Sequence, residues 1–536
     1  MHWAYLVAST MVTIVFLTWF LIDFFYADTP NLPGTEKVAS ITNLGFGSDR
    51  KLLVVDFDVS TIDMSDKKFA NLEIYQTVNG TVQSSFVPIG IEIKGSGLAE
   101  RPKLNYAIEI WEELDDGVPC TSIETCDDGK ANLFDAYEDD FEDWILRGGY
   151  KEPTLLRDAL PSQMDGGILE HQLVELVFRN AGEYFYEGVY LLYPAIQRKV
   201  LQKRLGWENK GKKTDCEEEP TVSEIAETAI IGEYTNSGWG SRKKTCELLD
   251  NMVKLRYPKC EDISCYVDEV KAVFDVLTLT NSTEVALNLS SFAKNFLAES
   301  LMLNGDFPIS SQYFYKNPDT GVLHAGPRWD YDFLSWRAAE VDNWDHTTNY
   351  RSEFMPLWEK LGEHKEFLNL LESTRIATTT YNYDVVKSVI EKRRLQFEAG
   401  YFDRNIARWG GFGNRVVSFM HDFNLVSSRV ESSWQKEIAF QEEKFKARAE
   451  WMLANPVTSF EFHYDSLFIV REIFKILPFI MLFLALLVWT ALLVIFVYER
   501  GCDCDSNEEE TEDEQKLMGG IGGFVLNSLQ LSDKEF

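Results

Sequence analysis

The sequence predicts an α+β chain, with a β-rich N-terminal half ahead of an α-rich C-terminal half and a transmembrane helix near the C-terminus. Three observations carry this. Before about residue 110 the apolar residues alternate or run in short blocks, as strands require. Beyond about residue 380 they recur at three, four and seven, the period of a helix with one buried face. Residues 476–498, "ILPFIMLFLALLVWTALLVIFVY", hold no charge over a length that spans a bilayer.

The elements follow in order. Residues 3–22 are also free of charge and long enough to cross a bilayer, but they lack a basic leading region. Residues 1–26 therefore read as a signal peptide or a retained signal anchor. "KLLVVDFDVS", "ANLEIYQTV", "FVPIGIEIKG" and "KLNYAIEIWEE" read as strands. In "LFDAYEDDFEDWIL", Phe134, Tyr137, Phe141 and Trp144 fall at helical spacing, with six acidic residues on the remaining faces of a solvated helix. Residues 171–196 read as a helix end or strand, a turn and then a strand, where Gly188 and the alternation of Val189 and Leu191 suggest a hairpin. Residues 217–270 are polar and cysteine-bearing and read as an insertion. "SSFAKNFLAESLMLNGD" reads as a helix, as do the stretches carrying Val386, Val389, Ile390 and Phe397, and Val430, Trp434, Ile438 and Phe445.

Composition narrows the function classes. A formal charge of −33 over 536 residues argues against nucleic-acid binding, which needs a basic face to neutralise phosphates. Residues 27–466 carry three N-glycosylation sequons, at Asn79, Asn281 and Asn288, and six cysteines: Cys120, Cys126, Cys216, Cys246, Cys260 and Cys265. Both features fit a luminal or extracellular domain of the secretory pathway, where disulfides persist. Spacing favours Cys120 with Cys126 and Cys260 with Cys265 without fixing the connectivity. Residues 501–536, with ten acidic and two basic residues, read as a cytosolic tail. The chain is then a single-pass type I membrane protein if the first segment is cleaved, and crosses twice if it is retained.

The candidate site lies where the two halves join. In "RWDYDF", strand-like alternation sends Trp329, Tyr331 and Phe333 to one face and Asp330 with Asp332 to the other. Two neighbouring carboxylates repel each other, and a hard divalent cation such as Mg²⁺ or Mn²⁺ relieves the repulsion. Asp306, just beyond a helix, supplies a third carboxylate. Aspartates also cap helices and shape turns, and periodicity does not separate that role from a metal site.

The stretch "NGDFPISSQYFYKN…GPRWDYDFLSW" resembles the core of the CotH-type kinase family, the spore-coat protein H group of atypical protein kinases. "IEIKGSGLAERPKLNYAIEI", "DWILRGGYKEPTLLRDAL", "VELVFRNAGEYFYEGVYLL", "MPLWEKLGEHKEFLNLL" and "RNIARWG" are similar to further family segments, in the same order. The resemblance implies a bilobal atypical protein-kinase-like ectodomain that binds ATP with Mg²⁺ or Mn²⁺. It makes Lys103 the residue that grips nucleotide phosphates, with Arg157 contacting nucleotide or bracing the lobes. It makes Asp306 the catalytic aspartate that orients and deprotonates the substrate hydroxyl, and Asp330 and Asp332 the metal-holding pair. The implied function is a membrane-anchored kinase of luminal or extracellular proteins. Two departures favour the alternative, a catalytically inactive receptor or adhesin on the same scaffold. Pro194 stands where the family has a glutamate, and Ser311 or Gln312 where it has an asparagine.

Overall fold

A computed structural model describes residues 37–40, 51–58, 62, 66–94, 103–114, 120–133, 140–149, 152–164, 168–208, 227–234, 247–248, 253–258, 267–278, 286–304, 307, 311–331, 356–412, 415–419 and 425–457. Strands come first: β1 (Lys37–Val38), β2 (Leu52–Asp56), β3 (Lys68–Val78), β4 (Thr81–Lys94), β5 (Asn105–Glu113), β6 (Cys126–Asp128), β7 (Asp143–Arg147), β8 (Gln172–Asn180) and β9 (Glu183–Pro194). Helices α1 (Leu160–Met164) and α2 (Arg198–Leu205) flank β8 and β9 in the chain. Then follow β10 (Ile230–Tyr234), β11 (Glu247–Leu248), β12 (Val253–Tyr257), α3 (Val267–Thr278), α4 (Leu289–Met302), β13 (Gln312–Lys316) and β14 (Leu323–Ala325). The last elements are α5 (Pro356–Glu363), α6 (Lys365–Glu398), α7 (Asp403–Trp409), the hairpin β15 (Arg415–Phe419) and β16 (Leu425–Arg429), and α8 (Trp434–Ala454). The chain is thus α+β, β-rich first and helical last.

The first sheet runs β1-β9-β7-β5-β4-β3-β2-β8, and because β9 also pairs with β8 it closes on itself. Only β2 with β8 is parallel among its pairings. Strand β2 is "LLVVD" because both of its faces are covered. Leu53 and Val55 enter the main core, while Leu52 and Val54 pack with Val177 and Tyr186 on the other side. A strand buried on both faces needs a continuous apolar run rather than alternation. The β3–β4 hairpin turns at Asn79-Gly80, both at positive φ (50° and 77°), which suits the right-handed twist of the ribbon. Residues 81–86 of β4 are exposed beyond the core.

A second, antiparallel sheet runs β11-β12-β10-β13-β14. The stretch read as an insertion thus supplies its central strand, and Ile231 packs with Leu201, Trp207, Tyr313 and Tyr315. Residues 143–147 are strand, not the end of a helix. Trp144 and Leu146 are fully buried there, and the strand pairs with both β5 and β9. The helical spacing of Phe141 and Trp144 comes instead from a tight contact across a bend, where the Trp144 indole N–H donates to the Phe141 carbonyl at 3.2 Å.

In the helical half, α6 packs against α4 and α8. Its buried stripe, from Phe367 and Leu371 through Val386 and Ile390 to Phe397, repeats every three or four residues and includes Arg375 and Arg393. Arg375 donates to the carbonyls of Met452 (2.5 Å) and Leu453 (2.9 Å), so acceptors left over at the end of α8 are satisfied across the bundle. At the other end of α8, the Ser433 hydroxyl accepts from the Lys436 N–H.

Cys120 and Cys126 form a disulfide. The remaining cysteines lie outside the described residues. So do residues 1–26, 476–498 and 501–536, and Asp306 and Asp332. Among the described residues no helix is long and apolar enough to cross a membrane.

Candidate active site

Asp330 sits not in a strand but in irregular, left-handed backbone, φ 65°, so the expected strand alternation does not run through it. A non-glycine residue holds that conformation only when its surroundings fix it. Here the neighbours do so. Trp329 stacks edge-on against Tyr193 at 5.5 Å, and Tyr331 is fully buried with its hydroxyl donating to Glu299 Oε1 at 2.8 Å. The Asp330 carboxylate, 25% exposed, accepts a 2.5 Å bond from Nη2 of Arg147 at the end of β7. Arg147 is buried and also holds Asp158, through Nη2 to Oδ1 (3.0 Å) and Nε to Oδ2 (3.4 Å).

Glu299 connects this segment to the stretch containing Asp306. Its Oε2 accepts from Asn304 Nδ2 at 3.0 Å, while its Oε1 takes the Tyr331 hydroxyl. One buried carboxylate near the end of α4 therefore anchors both the residue two positions before Asp306 and the residue between Asp330 and Asp332. Phe307, on the other side of Asp306 in the chain, is buried against Trp358 at 5.1 Å. Sequence reasoning missed both Glu299 and Arg147. The signal for Glu299 was an acidic residue within the apolar face of "FAKNFLAESLM".

Lys103 lies just before β5, 3% exposed. Its ammonium donates to the Val189 carbonyl (2.6 Å) and to Asn405 Oδ1 (2.9 Å), and stands 4.7 Å from the centre of the Tyr190 ring. Asn405, from α7, also accepts from the Val189 N–H at 3.0 Å. Only glycine fits at position 188. Its φ is 132°, and a Cβ there would stand 2.6 Å from Asn405 Oδ1. Burial lowers the Lys103 pKa to about 7; the nearby Glu187 carboxylate opposes the shift and Arg408 adds to it. Glu187 is fully buried, 3.6 Å from the Arg408 guanidinium, and accepts from the Tyr106 hydroxyl at 3.2 Å. The strand position of Pro194 is the last of β9, paired with Trp144.

Lys103 and Asp330 flank the same strand end. Gly148 follows Arg147 directly, its N–H donates to Asn105 Oδ1 at 2.7 Å, and a Cβ on it would lie 3.3 Å from Lys103 Cγ. Arg157 is buried in a 3₁₀ turn, Arg157–Ala159, where its backbone N–H donates to Glu152 Oε2 at 3.1 Å. Gln312 opens β13, 4% exposed, with Ser311 before it in left-handed backbone at φ 58°. His324 stacks on Tyr315 at 4.9 Å.

The described residues fit a divalent cation in one respect: Asp330 offers a partly open carboxylate, although Arg147 holds one of its oxygens. They fit a phosphate less directly, since the ammonium of Lys103 is engaged by neutral oxygens. Elsewhere, Glu109, Asp128 and Glu142 each bring a carboxylate oxygen within 4.8 Å of the others. Lys67 pairs with Glu109 at 2.5 Å and Lys199 with Glu142 at 3.3 Å.

Together these features define an α+β protein in which Asp330 and its neighbour Tyr331 are held by Arg147 of β7 and Glu299 of α4. The CotH kinase protein family model matches residues 91–452, and the chain belongs to that family. No curated protein matches it.

Proposed function

We propose that this chain is a membrane-anchored kinase of the secretory pathway that transfers the γ-phosphoryl group of ATP to serine or threonine hydroxyls of luminal or extracellular proteins. The observation that carries this reading is Asp330: a carboxylate in constrained left-handed backbone, partly open, at the junction of the two halves. Membership of the CotH family supports it.

In this reading Asp330 and Asp332 hold Mg²⁺ or Mn²⁺, which supplies neutralisation of charge on the transferring phosphoryl group. Asp306 orients the acceptor hydroxyl and takes its proton as the new O–P bond forms and the bond to the departing ADP breaks. Glu299 keeps the two aspartate-bearing stretches in register through Asn304 and Tyr331. Lys103 serves the phosphates by exchanging Asn405 for an anionic oxygen, an exchange that restores the charge burial has weakened. Arg157 braces the segment between β7 and α1.

The second reading, an inactive receptor or adhesin, is favoured by one specific observation. Lys103 already spends two of its three donors on Val189 and Asn405, where the buried Glu187 pairs with Arg408. The deciding experiment uses the detergent-solubilised full chain with Asp306→Ala and Asp330→Ala. ATP binding and phosphate transfer that need Mn²⁺ and both aspartates support the kinase. Nucleotide binding without transfer identifies a pseudokinase, and absence of both supports the adhesin.

A further inference from the structure

We infer that Arg147 is an internal counter-cation for Asp330, shared with Asp158, which competes with a divalent ion at Asp330, so that Asp158 tunes the metal affinity of the site. This rests on the reading of Asp330 as a metal-holding residue and adds a regulating pair to it.

The geometry is that of one guanidinium between two carboxylates. Nη2 of Arg147 lies 2.5 Å from Asp330 Oδ1 and 3.0 Å from Asp158 Oδ1, while Nε faces Asp158 Oδ2 at 3.4 Å. The hold on Asp158 is two-pronged and the hold on Asp330 single, so the guanidinium can give up Asp330 and keep the fork on Asp158. Exposure points the same way. The side chains of Arg147 and Asp158 are 8% and 4% exposed, whereas Asp330 is 25% exposed and is the member an ion can approach. The Trp329 ring lies 5.3 Å from the guanidinium and the Tyr193 hydroxyl bonds the Asp158 carbonyl, so the arginine keeps an aromatic shelf and a fixed partner after release.

Electrostatics supplies the sign. Two carboxylates sharing one positive group leave a net negative charge that favours a divalent ion, and the guanidinium at Asp330 competes directly with it. Removing Arg147 should tighten metal binding. Removing the charge of Asp158 takes away one carboxylate that holds Arg147 off Asp330 and should weaken it. A merely structural role for the trio moves both substitutions in the same direction.

The test is Mn²⁺ binding to the full chain in detergent without nucleotide, read from the free-ion signal in electron paramagnetic resonance. Arg147→Gln should bind Mn²⁺ about tenfold more tightly than wild type, and Asp158→Asn several-fold more weakly, on the scale where a tenfold change is about 1.4 kcal/mol. Equal affinities, or shifts of the same sign, overturn the inference while binding lost in Asp330→Asn leaves the metal reading standing. Should Arg147→Gln fail to fold by circular dichroism, Asp158→Asn is compared with Asp158→Glu, which keeps the charge: weaker binding in the first that the second restores supports the inference, and no weakening, or equal weakening in both, overturns it. Wild-type binding that Asp330→Asn leaves intact overturns both.

Discussion

A buried lysine with neutral partners is an unstable arrangement at neutral pH, and Lys103 shows the consequence at the scale of one residue. Its amine titrates near 7 in the fold, against an ordinary value of 10.5, because burial disfavours the charged form. Between those two values the unfolded chain binds more protons than the folded one, so stability rises with pH through that window. The burden is fully present below about 7 and vanishes above the unfolded value. Chemical denaturation of wild type from pH 7 to 9 should therefore show a rise that Lys103→Met lacks; parallel profiles would mean that the ammonium is fully compensated by Glu187. Gly188→Ala tests the same contact from the other side. A Cβ at 2.6 Å from Asn405 Oδ1, on a residue at φ 132°, forces α7 away from β9. The expected loss is about 2–4 kcal/mol in a denaturation midpoint series, with the cause in strain and a broken buried hydrogen bond.

Elements with a clean period were legible in the sequence, and those that served two masters were not. Strands β2 to β5 and the strand β9 follow from short apolar runs or apolar alternation, and α6 and α8 from three-and-four spacing. Strand β7 was hidden because Phe141 and Trp144 meet across a bend at the spacing of a helix turn. The conformation of Asp330 was hidden because local alternation carries no sign of left-handed backbone, which Arg147, Tyr193 and Glu299 hold from other parts of the chain. The same limit applies to the site. Asp330 stands out as a candidate from its neighbours in sequence, whereas its partner Arg147 lies 183 positions away and Glu299 lies 32 positions from Tyr331. Long-range partners leave no local trace. Among elements the clearest test is Arg375, which joins α6 to the end of α8 and is held in turn by Glu372 at 2.8 Å. Arg375→Ala leaves two helix-end carbonyls without that donor and should cost about 2–4 kcal/mol. Hydrogen exchange should localise the loss to the last turns of α8; an effect spread evenly over the chain would contradict this account.

At the scale of the whole molecule, the reading depends on which side of a membrane residues 27–466 occupy, and the sequons give a direct test. Asn79 is the most suitable probe because it stands in the exposed turn joining β3 to β4, away from the core. Asn288 is different: its side chain caps α4 by accepting from the Ser291 N–H at 3.0 Å. If the domain is luminal, an N-glycosidase should increase the electrophoretic mobility of the full chain made in membranes, and Asn79→Gln should remove part of that shift without altering Mn²⁺ binding. The chain should also stay with the membrane after alkaline extraction if residues 476–498 span it. A chain that is membrane-bound yet carries no glycan would place the aspartate site on the cytosolic side or in a cell without this modification. Protection of residues 27–466 from added protease in sealed vesicles distinguishes those cases, since only a luminal domain survives intact. A cytosolic result would remove luminal proteins as substrates and would also remove the oxidising environment expected to maintain the Cys120–Cys126 bond.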